Sequence, residues 1–225
     1  MKIAVYSAMH GRQGTVKKCL DYLHLIKNEV SEIVQLEFIY GYTWTKDGEF
    51  LKQWPEIKTF QAPNAPLWRK FDAGHELLKD GDYDACIMIG SDDIFDDKFI
   101  SLIYLLLVDH DYIGFLDIFF HDLKSGDNYY WPGYKGYREG EPAGAGKVYS
   151  RKMLESLNYH VFQPSGDSGL DKGCHDRVMQ TGLPYKFTKL YKWGVFLCDI
   201  KDDEGKTPLR KFNNLSDCGK ELFSF

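Results

Sequence analysis

The sequence predicts an α/β fold in which a mixed, mostly parallel central sheet is flanked by helices. Residues 2–6 and 85–89 are short apolar runs typical of buried strands, and residues 33–40 form a further strand of mixed apolar pattern. The apolar residues between the first two strands fall on one helical face: Val16, Cys19, Leu20, Leu23 and Ile26. The order strand, helix, strand favours a parallel pair.

The remaining elements extend this pattern over a single predicted domain, residues 1–225. Residues 41–61 are expected to be irregular, residues 67–79 and 99–108 helical, and residues 112–120 one apolar strand. Between residues 121 and 146, Gly, Pro and Tyr dominate, which predicts a smaller region of short strands and loops outside the main sheet. The later elements are predicted as strand and helix over 148–157, helix over 171–180 and short strands over 186–200.

Composition limits the classes of partner. The chain has a net charge of −5, which argues against a DNA-binding surface over the whole protein but leaves room for a local basic groove. The aromatic fraction of 16% suits a large core and also surfaces that stack flat or sugar ligands. Residues 129–137, rich in tyrosine, are the candidate stacking segment.

Several features predict a cytoplasmic protein. The five cysteines are odd in number and scattered, and none forms a CxxC pair, which is typical of free thiols in a reducing compartment. The first residues run directly into a predicted strand, which leaves no space for a signal peptide. The longest apolar stretch, residues 100–108, is too short to span a membrane.

Two adjacent carboxylates, Asp92 and Asp93, follow the predicted strand 85–89. Ligands of open α/β sheets bind outside the carboxyl ends of strands, and paired carboxylates suit Mg²⁺ or Mn²⁺. Aspartates at the start of a helix are also common N-terminal caps. The spacing alone leaves the metal site and the helix cap as equal alternatives.

Five segments, in this order along the chain, resemble those of GT-A-fold nucleotide-sugar-dependent glycosyltransferases of the family-2 type. The first, residues 6–12, is similar to the loop that surrounds the nucleotide base. The resemblance implies donor contacts from this loop and from the end of the second strand: Tyr6, Ala8, Arg12 and Tyr40.

The second segment, residues 67–74, resembles the helix that faces the diphosphate-sugar. This likeness implies a phosphate contact from Lys70, or alternatively from Arg69, and it assigns Gly74 to the donor site. The third, residues 90–93, resembles a variant DXD motif in which Ser91 replaces the first acidic residue. This likeness implies that Asp93 ligates Mn²⁺ or Mg²⁺. It also implies that Asp92 touches the ribose or the metal, and it assigns Ser91 to the donor site.

The fourth segment, residues 144–151, resembles the glycine-rich motif on the acceptor side. It implies that Gly144 and Gly146 allow close approach of the sugar, and that Lys147 or Arg151 reaches the diphosphate. The neighbouring lysine completes a local basic patch with these two side chains: Lys147, Arg151 and Lys152.

The fifth segment, residues 168–171, resembles the part of the family that carries the general base of inverting members. This likeness implies that Asp171 is the base. Asp167 is a competing candidate, and a helix-capping role for Asp171 stays open. His160 and His175 are further candidates for a third metal ligand.

The resemblance implies a nucleotide-sugar-binding half over 1–120 and an acceptor-binding half over 121–225. It implies a metal-dependent transferase that uses a nucleotide-sugar, with UDP favoured, and an acceptor hydroxyl on a glycan or on a hydroxymethylated base of phage-type DNA. A nucleotidyltransferase is an alternative, although the loop with Gly11, Arg12 and Gly14 is short for a triphosphate. A non-catalytic nucleotide-sugar-binding module is another, and Ser91 is the feature that favours it.

Overall fold

The computed structural model describes residues 1–162, 170–202, 208–212 and 214–219. The strands of these residues are β1 (Lys2–Ala8), β2 (Gln35–Tyr42), β3 (Lys58–Gln61), β4 (Ala85–Gly90), β5 (Asp93–Phe95), β6 (Tyr112–Phe115), β7 (Ile118–Asp122), β8 (Asn128–Trp131), β9 (Lys147–Ser150), β10 (Tyr185–Thr188), β11 (Leu197–Lys201) and β12 (Ser216–Gly219). The α-helices are α1 (Gln13–Glu29), α2 (Thr45–Leu51), α3 (Leu67–Glu76), α4 (Asp97–Leu106), α5 (Arg151–Ser156) and α6 (Leu170–Met179).

The larger sheet of the described residues has seven strands in the order β10-β6-β9-β4-β1-β2-β3. Neighbouring strands run parallel, except that β9 lies antiparallel to both β4 and β6. The prediction of a mixed, mostly parallel sheet is therefore confirmed. The carboxyl ends of β1 and β4 meet at one edge, where Ala8 pairs with Gly90.

Helices cover both faces of this sheet because successive side chains of its central strand point to opposite sides. On β1, Ile3 and Val5 belong to the core cluster that includes buried residues of α1 and α4. Ala4 and Tyr6 belong to the second cluster, which includes buried residues of α5 and α6 and contacts α3. Burial on both faces explains why this strand reads as a continuous apolar run.

A smaller sheet of the described residues has the order β12-β8-β7-β11-β5. Strand β11 lies parallel to β7 and antiparallel to β5, and its register places Asp199 opposite Asp93. The short β5 thus carries the end of the acidic motif into a sheet built otherwise from the second half of the chain. This pairing joins two aspartates that are more than one hundred positions apart in the sequence.

Two predicted segments differ from the structure. Residues 41–61, expected to be irregular, contain the end of β2, helix α2 and the edge strand β3. The sequence pattern is weak here because β3 has no buried residue and α2 buries only Asp47 and Leu51. The single strand expected over 112–120 is instead β6 and β7, which lie in different sheets.

A contact with a distant part of the chain lies at the break between β6 and β7. Asp117, between the two strands, is fully buried and accepts hydrogen bonds from the backbone N–H groups of Leu190 and Tyr191 at 2.6 and 3.2 Å. These bonds fix the chain at the point where it leaves the larger sheet.

Among the described residues, no helix is both long enough and apolar enough to cross a membrane.

Candidate active site

An acidic cluster lies where β4 ends and β5 begins. Ligand oxygens of Asp92, Asp93 and Asp199 all lie within 4.8 Å of one another. The Asp93 side chain is turned back against the strand end, where the Gly90 N–H donates to its carboxylate at 2.5 Å. The Asp92 carbonyl accepts from the Ile200 N–H at 2.7 Å, so backbone bonds on both strands hold the cluster together.

The helix that follows this motif has its own cap. Asp96 precedes α4, and its side chain accepts a hydrogen bond from the Phe99 N–H at 2.9 Å. Asp92 and Asp93 are therefore not needed to cap α4. The cap of α4 is Asp96 and not this pair, whose role in binding a metal stays a prediction.

The carboxylates of the cluster lie close together and repel one another. Burial, together with the neighbouring Asp199 and Asp92 carboxylates, raises the pKa of Asp93 well above its ordinary value. Burial and Asp92 raise the pKa of Asp199 to about 7, although the Lys201 ammonium lies 2.5 Å from it. Because three neighbouring carboxylates repel one another, binding of either a proton or a cation would relieve the repulsion. Carboxylate oxygens are ligands that suit Mg²⁺ or Mn²⁺.

Arg12 connects the opening loop to this cluster. Its guanidinium donates to Asp92 at 2.6 Å and to both oxygens of Asp202 at 3.1 and 3.0 Å. The residue has φ 56°, in the left-handed region, immediately before α1. The Thr15 hydroxyl also donates to Asp202. Arg12 therefore ties the loop to both β4 and β11.

Asp171 lies on α6 and pairs with a buried lysine. The Lys147 ammonium is 2.9 Å from the Asp171 carboxylate, and the lysine side chain is fully buried whereas that of Asp171 is 41% exposed. The charge of Lys147 lowers the pKa of Asp171. A Cβ atom on Gly144 would lie 2.8 Å from an Asp171 carboxylate oxygen. The glycine thus leaves space for the carboxylate.

The acidic cluster and Asp171 face the same cleft. Two adjoining cavities of about 450 and 340 Å³ share five lining residues: Asp92, Gly144, Ala145, Asp171 and Asp199. The first cavity also contacts Arg12, and the second contacts Asp93. A third cavity, of about 560 Å³, borders the opening loop and likewise includes Arg12. The cleft therefore combines a cluster of three carboxylates with a further carboxylate whose pKa is lowered by Lys147.

Several residues assigned to the donor by resemblance lie elsewhere. The Tyr6 hydroxyl donates to the Lys70 carbonyl at 2.6 Å, and a Cβ on Gly74 would lie 2.2 Å from the Tyr6 ring. Tyr6 and Gly74 therefore pack β1 against α3 in the second core cluster, on one face of the larger sheet. Gly146 has φ +73°, and a Cβ there would lie 2.5 Å from Leu197, so this glycine packs in the core and does not line the two cavities of the cleft.

The two lysines expected at the diphosphate are both buried. Lys147 is directed to Asp171, as described above. The Lys70 ammonium donates to the Met9 carbonyl at 3.1 Å and to the Asn64 side chain at 2.8 Å. Burial lowers the pKa of Lys70 to about 8. Lys70 therefore stabilises the opening loop through its bond to Met9 and does not line the two cavities of the cleft.

The other predicted residues lie in several different places. Tyr40 is fully buried in the core that contains α1, and burial raises its pKa. Ala8 and Ser91 are partly exposed at the neighbouring ends of β1 and β4. His160 lies 3.4 Å from Glu76, and the ring of His175 contacts Phe187. Asp167, Ser168 and Gly169 lie outside the described residues.

Sequence reasoning missed the residues that β11 contributes. Asp199, Lys201 and Asp202 complete the site, yet they follow a short apolar run with no recognisable motif. The sequence offers one signal, which is that Asp199 directly follows the apolar run 195–198, much as Asp92 follows the apolar run 85–89. Only the pairing of β11 with β5 shows that the two ends meet.

Comparisons with known proteins support the fold. No protein-family model and no curated protein sequence matches the chain. Among solved structures, residues 1–349 of S. aureus TarS match with a TM-score of 0.53 at 11% identity. The match covers 91% of this chain and 59% of the TarS chain, so this chain spans less than two thirds of that neighbour. The described residues therefore share the mixed α/β, GT-A-like fold of this neighbour.

Proposed function

We propose that the chain is a metal-dependent glycosyltransferase that moves a sugar from a nucleotide-sugar, with UDP favoured, to an acceptor hydroxyl with inversion. The observation that carries the proposal is one cleft that contains both the acidic cluster and Asp171. The GT-A-like fold supports transfer in general, but a fold by itself hosts many activities. The chemistry of the cleft therefore has to supply the specific claim.

Asp93, Asp199 and Asp92 are the residues that would hold Mn²⁺ or Mg²⁺. Their oxygens lie close enough together to share one cation, and the repulsion that raises the pKa of Asp93 is relieved by a positive charge. A cation bound there would neutralise the charge that develops on the departing nucleoside diphosphate. This role needs hard oxygen ligands, which the cluster provides.

Asp171 is the proposed general base. As the acceptor oxygen attacks the anomeric carbon, the bond from that carbon to the diphosphate oxygen breaks, and the hydroxyl proton passes to Asp171. Two observations support this role: the carboxylate is partly exposed to the cleft, and Lys147 keeps it ionised. An ionised carboxylate is ready to accept the proton at neutral pH.

The donor is proposed to lie along the strand ends that border the cleft. Arg12 and Gly144 line the first cavity, and Ala8 and Ser91 lie at the adjacent ends of β1 and β4. Arg12 already contacts Asp92, which places a fixed positive charge beside the proposed diphosphate site. The acceptor is proposed to be a glycan or a hydroxymethylated base of DNA.

The proposal is tested by release of UDP from a panel of UDP-sugars in the presence of Mn²⁺ or Mg²⁺. We expect release with at least one donor, its loss on addition of EDTA, and its recovery when the metal is restored. Tight binding of UDP without transfer or donor hydrolysis would instead support a non-catalytic binding module. Release of pyrophosphate from a nucleoside triphosphate and a sugar phosphate would support a nucleotidyltransferase.

A further inference from the structure

A basic segment with exposed aromatic rings lies outside the proposed catalytic site. Residues 177–198 contain no Asp or Glu, although the whole chain has a net charge of −5. Within this segment we define the aromatic-lysine strip by five residues: Lys186, Lys189, Tyr191, Lys192 and Trp193. Tyr191 is 69% exposed and Trp193 47% exposed, so both rings present large apolar surfaces to water.

The aromatic-lysine strip is held in a fixed conformation. The buried Asp117 carboxylate accepts the backbone N–H groups of Leu190 and Tyr191 and also the Tyr130 hydroxyl, the last at 3.0 Å. The Tyr130 ring lies 5.4 Å from the Tyr191 ring. A buried carboxylate that fixes an exposed turn limits the entropy lost when the exposed rings bind a partner.

Two side chains of the strip, those of Lys186 and Trp193, lie on the same side of the edge strand β10. The Trp193 indole N–H donates to the Thr188 hydroxyl at 3.0 Å. Strand alternation places Lys186 on the same face as Thr188, and the Lys186 and Lys192 side chains are exposed. Positive charges therefore flank the two aromatic rings.

The strip is connected to the cleft through a further cavity of about 290 Å³. Lys189 and Tyr134 both line this cavity, and Tyr134 also lines the cavity that contains Asp171. The same cavity includes Glu141, which is paired with Arg138 at 2.7 Å. Tyr134 thus lies between the cavity beside Lys189 and the cavity that contains the proposed base.

We propose that the aromatic-lysine strip binds single-stranded DNA. Bases stack on Tyr191 and Trp193, and backbone phosphates pair with the lysines. This ligand matches both features at once, since each nucleotide supplies a negative charge and a flat ring. Enzymes that modify a base act on one that is unpaired or taken out of the duplex. The further step, that this strand carries the acceptor hydroxyl, rests on the proposed function.

The test measures binding of a fluorescent, unmodified oligothymidine to the full chain by anisotropy, with EDTA present and no donor. We expect binding that weakens as salt rises. Tyr191→Ala and Trp193→Ala are each expected to weaken it about 5- to 150-fold. Lys186→Ala and Lys192→Ala are each expected to reduce the slope of log affinity against log salt by about 0.7.

Exposed residues of other elements provide matched controls. Tyr104→Ala on α4 and Lys52→Ala after α2 remove a ring and a charge far along the chain from the strip, and both are expected to bind as the wild type does. Circular dichroism establishes that each variant is folded. The inference is overturned if the oligonucleotide does not bind, or if the strip variants bind it as well as the control variants do. Polygalacturonate, an acidic glycan, serves as a second probe, and its binding without binding of the oligonucleotide would also overturn the inference.

Donor hydrolysis by the wild type separates this inference from the proposed function. Oligonucleotide binding that depends on the strip, without hydrolysis of any UDP-sugar, would sustain the inference and contradict the proposed function. Hydrolysis without oligonucleotide binding would sustain the proposed function and contradict the inference.

Discussion

The ammonium of Lys147, fully buried, lies 2.9 Å from the carboxylate of Asp171, which is partly exposed to the cleft. The pair joins β9 to the first turn of α6. Because the charge of Lys147 lowers the pKa of Asp171, the lysine keeps the proposed base ionised. It is therefore a positioning residue that acts through Asp171.

This relationship predicts distinct effects for the two partners. Asp171→Asn is expected to lower the transfer rate about 10²- to 10⁴-fold, since the proton acceptor is lost. Lys147→Met is expected to retain transfer near neutral pH but to move the acidic limb of the kcat/KM profile to higher pH. The direction follows because removal of the positive charge raises the pKa of Asp171, so the carboxylate becomes protonated sooner as pH falls.

Lys152→Met is the matched control for the pH profile. Lys152 lies on α5, directly after the strand that carries Lys147, but it is exposed and pairs with Asp111 at 3.0 Å. Its variant should keep the wild-type acidic limb. An unchanged limb in Lys147→Met, or full transfer by Asp171→Asn, would contradict the assignment of the base.

Asp199 is expected to contribute directly to metal affinity. Asp199→Asn removes one charge from the acidic cluster and is predicted to weaken Mn²⁺ binding at least about tenfold. Isothermal titration calorimetry with the metal alone measures this affinity. Asp109→Asn, at an exposed aspartate after α4, should leave it unchanged. Equal affinities for wild type and Asp199→Asn would exclude β11 from the metal site.

The buried His75 predicts a pH-dependent loss of stability. The ring is fully buried, and neither nitrogen has a hydrogen-bond partner among the described residues. Burial lowers its pKa to about 3. Between pH 6.5 and that value the unfolded chain binds a proton that the folded chain does not, so the stability contributed at this site falls as pH falls.

His75→Phe removes this proton uptake. The free energy of unfolding of the wild type, relative to that of the variant, is expected to fall by about 1.4 kcal/mol per pH unit below pH 6.5. Urea unfolding of both proteins from pH 7 to pH 4.5 measures the difference. A difference that stays constant with pH would show that His75 is not kept neutral.

Gly74 and Gly14 give opposite predictions for the same substitution. Gly74→Ala is expected to destabilise the fold by about 1–3 kcal/mol because its Cβ would lie 2.2 Å from the Tyr6 ring. Gly14→Ala, in α1 with no atom within 4 Å of its Cβ, is expected to stabilise by up to about 1 kcal/mol. Thermal unfolding measures both, and unchanged stability in Gly74→Ala would contradict the packing role.

The sequence predicts the fold where burial is strong on both faces of a strand. Strands β1 and β4 were readable as continuous apolar runs, and their carboxyl ends bring Ala8 and Gly90 together as a parallel pair should. The edge strand β3 was missed because it has no buried residue. The division of residues 112–120 was missed because it depends on bonds from Asp117 to residues more than seventy positions later.

The candidate site was predictable only in its local parts. Asp92 and Asp93 are contiguous, so their motif is visible, and Asp171 and Gly144 came from the order of the resembling segments. The third carboxylate, Asp199, depends on β11 lying beside β5, which no local pattern encodes. Gly74 and Gly146 pack against core side chains, and Lys70 and Lys147 are buried in contact with other protein groups. Residue type alone does not show which of these positions face the cleft, because that depends on burial.

The most direct test of the central claim is release of UDP from a UDP-sugar by the wild type and by Asp93→Asn, each with Mn²⁺ and with EDTA. The proposed function predicts release that requires both the metal and Asp93. Circular dichroism must show that Asp93→Asn is folded. Release that persists in EDTA, or in a folded Asp93→Asn variant at the wild-type rate, would contradict metal-dependent glycosyl transfer at the acidic cluster.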